Sequence, residues 1–599
     1  MTSMPSPQEE TKKALGAWLR ALECTASIAR DPHTTFPILI NQLAKRYESA
    51  PALISHSESL SYRELAARVN RYARWACREG FARGATVGLL MDNCADYLAL
   101  WLGLTRAGLT VALLNSHLTG QALAHSIRIV KPSSLILSAH LAHGLETIRD
   151  AVISIPLWTH GGKHCSLPRI DEEIKSLPEH PLDTLECALP LLKERALYIY
   201  TSGTTGLPKA AIVSHYRIMQ WTHWFCGMMG ITSADRMYNC LPLYHSVGGV
   251  IAAGAPLVGG GSVVIRERFS ASGFWHDVSQ THCTLFQYIG ELCRYLLANP
   301  QQDPETAHTL RLACGNGLQK HVWTAFKERF RIPQILEYYA STEGNFSLYN
   351  CEGKPGSIGR IPPFLSHRHT VTIIRSDPDS ELPLRDVNGH CIPCAPNEVG
   401  EVIGEIPDRA KLDHATFEGY SDSEATYSKI LRNVFVPGDQ WYRAGDLMSR
   451  DKEGFFYFID RVGDTFRWKG ENISTMEVAS ILRCCRGVLD AAVYGVQVPL
   501  AEGRACMAAL VVDTTFDSHA FHRETVEKLP AYARPIFLRI LPTLEKTATF
   551  KLQKKKLVDQ GYPPAGIDDT IYIKLPDVGG YVPIDGTLYK QLLAGHVRL

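Results

Sequence analysis

Residues 200–209 read YTSGTTGLPK, and the organisation of the rest of the chain follows from this string. It comes after an apolar, β-rich run from Leu197 to Tyr200 and before a stretch, Gly206 to Met219, that reads as part of a helix. Thr201, Ser202, Thr204 and Thr205 offer hydroxyl donors, while Gly203 and Gly206 let backbone N–H groups come close to an anion. Such a loop, ending in Lys209, suits a polyphosphate. It is not a loop of the GxxxxGK[ST] type, because its glycines stand three apart and Pro208 precedes the lysine. A hydroxyl-rich surface turn is the plainer alternative.

Outward from this string, short β-rich runs such as Thr86 to Leu90 and Ser134 to Leu137 alternate with helix-like segments such as Trp101 to Ala107. From about Thr35 to Arg360 the alternation predicts α/β layers with largely parallel sheets. Between Thr370 and Phe458 the character changes to turn-rich short strands, Val371 to Ile374, Gly400 to Ile403 and Phe455 to Ile459, which predict a β subdomain. Beyond Asp460 the charged, glycine-bearing run RVGDTFRWKGEN leads into a last segment. There Thr475 to Cys484 and His519 to Leu529 read as helices, and Ala491 to Val498 and Ala505 to Val512 as strands. The expectation is a large domain over 1–460 and a small α+β domain over 461–599.

With 599 residues, the chain is too long for one core. Its 62 basic and 61 acidic residues leave a net charge of +1, so bulk electrostatics predict no nucleic-acid partner and acidic ligands must be held locally. Sixteen dispersed cysteines do not resemble the framework of a small secreted domain and fit a reducing, cytoplasmic setting. Cys391 and Cys394 form a lone CxxC, too few ligands for structural zinc. The charged start of the chain shows no secretory signal. The longest apolar stretch, Leu241 to Ile265, carries His245, two prolines and six glycines, and reads as buried strands and loops rather than a membrane span. Any membrane contact should be peripheral.

Four further strings carry chemistry: LPLYHSVGG at 241–249, YYASTEGN at 338–345, YRAGDL at 442–447 and KTATFK at 546–551. Glu343 offers a hard carboxylate oxygen of the kind magnesium takes, and Thr342 a hydroxyl for phosphate. Tyr339 carries a ring able to stack on a base, near the glycine-rich Gly315 to Gly317; an ordinary core tyrosine is the other reading. An ionised Asp446 accepts two hydrogen bonds at once.

Together with YTSGTTGLPK, these strings resemble in order the motifs of the adenylate-forming enzymes, which include acyl-CoA synthetases, luciferases and peptide-synthetase adenylation domains. The resemblance covers nearly the whole chain. It implies a large N-terminal adenylate-forming domain and a smaller mobile C-terminal one, with ATP and magnesium as cofactors and coenzyme A as co-substrate. It also implies roles: Thr201, Ser202, Gly203, Thr204, Thr205, Gly206 and Lys209 on phosphate, Gly315 and Tyr339 at adenine, Glu343 on magnesium, and Asp446 with Arg461 at the ribose. His245 positions the acyl carboxylate. A carboxylate nucleophile is already ionised near neutrality and needs no base. Lys551 bridges the carboxylate and the α-phosphate during adenylation, while Lys469 and Gly470 approach the pantetheine arm. Gly463 matches a hinge.

Many relatives have glycine before the catalytic lysine, whereas this chain has Phe550. TFKLQK, NCEGKPGSIGR at 350–360 and RVGDTFRWKGEN at 461–472 resemble the fatty acid transport protein and very-long-chain acyl-CoA synthetase branch, which implies a long-chain or very-long-chain fatty acid as substrate. Two other readings stay open: a fatty acyl-AMP ligase that loads a carrier protein, and a fatty-acid uptake protein with vestigial motifs. The expected location is cytoplasmic, with peripheral contact at the inner face of a membrane as the alternative.

Overall fold

The strand Arg195–Ser202 runs antiparallel to Pro208–Ser214, with Tyr200 opposite Ala210 and Thr201 opposite Lys209. The hydroxyl-rich string therefore joins two strands of one hairpin. This corrects the helical reading of Gly206 to Met219, because the helix begins only at His215 and runs to Met229. Ala210 to Val213 are small and β-branched residues that fit a buried strand once a partner is present. The Ser214 hydroxyl then caps the helix by accepting from Arg217 N–H at 3.1 Å.

The computed structural model describes residues 7–162, 166–202, 207–300, 307–366, 370–377, 380–407, 417–468, 471–499, 501, 503–547, 552–564, 567, 569–575, 578 and 580–597. Two compact units result. One is Met1–Pro362 with Ile406–Ile430, and the other is Pro363–Glu405 with Leu431–Leu599.

The first unit holds two sheets. A six-stranded sheet places Leu157–His160, Ser134–Ser138, Thr86–Leu90, Thr110–Leu113, Arg195–Ser202 and Pro208–Ser214 side by side, parallel except for the last pair. An eight-stranded sheet has Arg236–Asn239, Leu285–Ile289, Leu312–Asn316 and Gln334–Ala340 parallel at its centre. Strands covered on both faces read as continuous apolar runs, which is why Thr86–Leu90 and Ser134–Ser138 are buried throughout. Helix Tyr62–Arg78 starts with a capping box, Ser61 and Glu64 exchanging bonds with each other's backbone.

Within Leu241 to Ile265 the strand reading holds for Ser262–Ile265 only. Ser246–Ile251 is a π-helical turn that continues as helix Ala252–Val258. Small residues allow this: a Cβ on Gly249 would sit 1.9 Å from Leu243 O, and one on Gly248 2.3 Å from Pro242 O.

The second unit contains an antiparallel sheet including Val371–Ile374, Gly400–Glu405, Gln440–Arg450 and Phe456–Arg461, as the strand-rich sequence predicts. Phe466–Trp468 and Glu471–Ile473 pair as a small hairpin inside the charged run. Farther on, Val488–Gln497, Arg504–Val512, Phe537–Ile540, Thr570–Lys574 and Tyr581–Pro583 form a five-stranded sheet, with helices Thr475–Leu482 and Ser518–Lys528 nearby in sequence. The sheet forms the core of this region, around Val493, Ala508 and Leu538. Among the described residues, no helix is long and apolar enough to cross a membrane.

Candidate active site

Parallel strands leave loops at their carboxyl ends, the usual ligand side of an open α/β sheet. His245 follows Arg236–Asn239, Asn316 ends Leu312–Asn316, and Tyr339 to Glu343 close Gln334–Ala340. The LPLYHSVGG and YYASTEGN motifs therefore lie at that edge of the eight-stranded sheet.

Glu343 is only 8% exposed and accepts a hydrogen bond from the Tyr420 hydroxyl at 2.8 Å. Burial, reinforced by the adjacent Glu343 charge, holds the Tyr420 phenol far above its ordinary range, so it stays a donor. Thr201 also lies close to this tyrosine, and Lys209 Nζ is 5.7 Å from its ring centre. Three predicted residues, Thr201, Lys209 and Glu343, thus meet around one that sequence reasoning missed. Tyr420 lies in the string FEGYSD, which carries no recognised spacing; its isolated pairing with Ala211 beside the hairpin brings it in.

Thr342 is tied down on two sides. Its hydroxyl pairs with that of Ser246 at 3.1 Å, and its carbonyl accepts from Arg217 at 2.9 Å. Arg217 faces Glu418 at 3.7 Å, and Glu418 in turn accepts from Ser214 N–H at 2.8 Å and Ser214 Oγ at 2.6 Å. Ser246, Arg217 and Glu418 are further residues the motifs did not mark. His245 is half-buried beside Tyr244, with ring centres 4.8 Å apart, and its carbonyl accepts from Gly249 N–H at 2.8 Å. A cavity of about 30 Å³ lies beside Thr342, lined by Trp221, Phe225, Val247, Ile251 and Tyr338. These include the apolar side chains following the phosphate loop.

Gly315 and Tyr339 occupy neighbouring strands of this sheet. A Cβ on Gly315 would sit 2.3 Å from Tyr288 O, so the strand requires glycine there. The Tyr339 ring lies 5.9 Å from Phe346 at 30°. Beneath them Glu337, fully buried, accepts from Leu318 N–H at 3.0 Å, from Gly317 N–H and from the Tyr288 hydroxyl. Burial pushes its carboxyl up to about 8 despite these bonds.

In the second unit Asp446 and Arg461 are directly opposite each other on paired strands, Arg461 Nε standing 3.7 Å from Asp446 Oδ1. Arg461 is 47% exposed on its side chain and Asp446 14%, so the arginine fork reaches outward. Asp460 accepts from Thr475 N–H at 2.6 Å and from its hydroxyl at 2.9 Å, anchoring the following helix. Lys546 and Lys554 are mostly buried: Lys546 pairs with Asp490 at 2.5 Å and Lys554 with Thr475 Oγ1 at 2.6 Å. Lys551, Lys469, Gly470, Gly203, Thr204, Thr205, Gly206 and the side chain of Ser202 lie outside the described residues.

The donor set fits magnesium. Glu343 supplies a buried hard oxygen, with hydroxyls nearby, and no group of three His, Cys, Asp or Glu side chains forms a metal cage among the described residues. Magnesium binds through one or two carboxylates and completes its shell with phosphate and water.

Comparison with known proteins places these features. The AMP-binding enzyme family model matches residues 40–407, and its C-terminal domain model matches 477–551. Long-chain fatty acid transport protein 1 of Mus musculus is 39% identical over 94% of this chain and 88% of its own length. Long-chain fatty acid transport protein 3 of Homo sapiens is 38% identical over 86% of this chain and 76% of its own. Among solved structures, the anthranilate CoA ligase AuaEII with anthranoyl-AMP superposes with a TM-score of 0.74 at 21% identity, covering 88% of this chain and 98% of that one. O-succinylbenzoate coenzyme A synthetase from Bacillus subtilis, with ATP and magnesium ion, reaches 0.69 at 23%, covering 87% and 98%. Such low identities speak to the fold, an adenylate-forming enzyme fold with a large N-terminal and a small C-terminal part. By the match over most of its length, the chain belongs to the AMP-binding, adenylate-forming enzyme family, and within it to the fatty acid transport protein and very-long-chain acyl-CoA synthetase branch.

Proposed function

We propose that this protein is a long-chain or very-long-chain fatty acyl-CoA synthetase. The acid's carboxylate attacks the α-phosphate of ATP, giving acyl-adenylate and diphosphate; coenzyme A thiol then displaces AMP and gives acyl-CoA. The observation that carries this reading is the meeting of Thr201, Lys209 and Glu343 at Tyr420, within the same unit as the apolar cavity beside Thr342. Two anions must meet in the first step, and hydroxyls, a cation and a buried carboxylate on the phosphate side answer that need. Bound magnesium would offset phosphate charge, held by Glu343. His245 and Ser246 border the place where the acyl carboxylate would lie. In this reading Lys551 stabilises the transferring charge, Asp446 and Arg461 hold the ribose, Lys469 and Gly470 face coenzyme A, and residues 461–599 move as a body. The names of the similar transport proteins support a long-chain fatty acid as the substrate.

Purified protein with ATP, magnesium and a series of free acids of increasing length should release diphosphate and consume coenzyme A, with a preference for long chains. Adenylate without thioester would turn the assignment towards carrier-protein loading. A second reading, fatty-acid uptake, draws on the same relatives' names. It predicts no fatty-acid-dependent diphosphate release from detergent-free protein.

A further inference from the structure

We propose that Tyr288 and Glu337 are positioning residues for the adenine of ATP: their side chains meet over Gly315 and fix the turn 315–318 at the base-binding edge of the eight-stranded sheet. The proposal rests on the adenylating function, with Gly315 and Tyr339 at adenine, and adds two buried residues that touch no part of the nucleotide.

Tyr288, Gly315 and Glu337 stand in one row across three neighbouring parallel strands, Tyr288 paired with Gly315 and Gly315 with Glu337. Residues in such a row share a sheet face, so Tyr288 and Glu337 can meet only across the glycine between them. A Cβ on Gly315 would lie 2.5 Å from Tyr288 Cδ2 and 2.6 Å from Tyr288 Cγ, so the phenol ring covers the glycine. The Tyr288 hydroxyl is bonded to Glu337 Oε2, while Glu337 Oε1 accepts from Leu318 N–H at 3.0 Å. One buried carboxyl therefore joins the ring on Leu285–Ile289 to the backbone just beyond Leu312–Asn316.

The same turn is closed from its other side by backbone. Gly317 has φ +80°, and a Cβ on Gly290, the first residue of helix Gly290–Ala298, would sit 1.9 Å from Gly317 O. With its carbonyl against that helix and Leu318 N–H on Glu337, the turn cannot shift without breaking a buried contact. Tyr339 follows Glu337 by two positions, so it shares that sheet face one step nearer the carboxyl edge, where ligands of such sheets lie. The row of Tyr288, Gly315 and Glu337 is therefore the floor beneath Tyr339 and Gly317. Adenine is uncharged and is held by fit against a ring and backbone, which makes its binding sensitive to the height of this floor. Burial holds the Glu337 carboxyl up at about 8, so near neutrality it serves as an uncharged support that an amide can imitate.

The test measures, on the full chain with magnesium, KM for ATP and kcat from fatty-acid-dependent coenzyme A consumption. Tripolyphosphate, which has no base, is the competing probe, and its inhibition constant reports the phosphate side alone. Tyr288→Phe deletes one hydroxyl and keeps the ring; it should raise KM for ATP by about 3- to 10-fold, the equilibrium equivalent of one buried hydrogen bond. Its kcat and its inhibition by tripolyphosphate should stay near the parent's. Glu337→Met fills the space but makes neither bond and should raise KM further, whereas Glu337→Gln, with an oxygen for Leu318 N–H and an amide for Tyr288, should restore it. If Glu337→Met does not fold, Tyr288→Phe and Glu337→Gln decide the matter. An unchanged KM for ATP in Tyr288→Phe would overturn the proposal and leave the adenylating function standing. Equal weakening of ATP and tripolyphosphate would overturn it too, since the pair would then support the fold rather than the base. A parent chain with no ATP- and fatty-acid-dependent turnover would instead overturn the function and the proposal together.

Discussion

Tyr420 donates its phenolic hydrogen bond to Glu343 Oε1 across 2.8 Å, joining residues 77 positions apart in sequence. Hydrogen bonds to charged groups contribute about 1.5–3 kcal/mol, so removing this one should loosen the carboxylate without unfolding the site. Tyr420→Phe is expected to raise the magnesium concentration needed for half-maximal diphosphate release by about 10- to 150-fold, the same energy expressed as an equilibrium. Secondary structure should be unchanged by circular dichroism. An unaltered magnesium titration would show that Tyr420 does not position Glu343.

Glu343→Gln preserves the shape and the acceptor for Tyr420 but removes the charge. Loss of a charged ligand for magnesium-bound ATP should slow acyl-adenylate formation by roughly 30- to 1,000-fold, or about 2–4 kcal/mol of transition-state stabilisation. Diphosphate release at limiting magnesium measures it. Near-normal rates there would remove Glu343 from the reacting centre.

The residues that could be read in advance are those whose environment is encoded locally. Thr86–Leu90 and Val371–Ile374 emerge with the predicted bounds because an uninterrupted or alternating apolar run is itself the strand signal. Pro208–Ser214 was obscured because its small, apolar residues suit a helix or a strand equally, and pairing with Arg195–Ser202 decides between them. The turn at Ser246–Ile251 depends on glycines meeting the Leu243 and Pro242 carbonyls, a close approach invisible in hydropathy. Within the site, Thr342, Glu343 and His245 stood out through motif spacing. Tyr420, Arg217 and Glu418 did not, since each acquires its meaning from a partner far along the chain.

Glu337 makes the stability of the fold depend on pH. Its carboxyl, pushed up to about 8 by burial, would ionise near 4.3 in the unfolded chain, so between these values the folded state holds the extra proton. The stabilisation is complete below the lower value and is lost as pH rises through about 8. Buried His215, held down to about 4 by burial, acts in the opposite sense but only below about 6.5, where its unfolded form begins to charge. From pH 6.5 to 8 the difference between parent and Glu337→Gln isolates the carboxyl. The parent should lose stability relative to the variant with a slope of up to about 1.4 kcal/mol per pH unit. Urea melts at pH 6.5, 7.2 and 8 test this. Parallel curves would mean that Glu337 is ionised when folded.

Lys551 and Gly463 separate the two half-reactions. If Lys551 meets the α-phosphate only while the adenylate forms, Lys551→Ala should slow that step by about two to four orders of magnitude, as for loss of one preorganised charge. Thioester formation from prepared acyl-adenylate should survive within a few-fold. Gly463 has φ +89°, a region open to glycine, and an added Cβ would lie 3.3 Å from Glu381 Oε1. Proline fixes φ near −65° and also restricts Val462, so Gly463→Pro cannot keep this backbone. If the altered backbone traps the adenylating arrangement, the variant should lose the thioester step instead. Single-turnover assays of each half-reaction on both variants give the comparison. Equal losses in both steps for Lys551→Ala would contradict a lysine that serves only the first, and a Gly463→Pro variant active in both would place the hinge elsewhere.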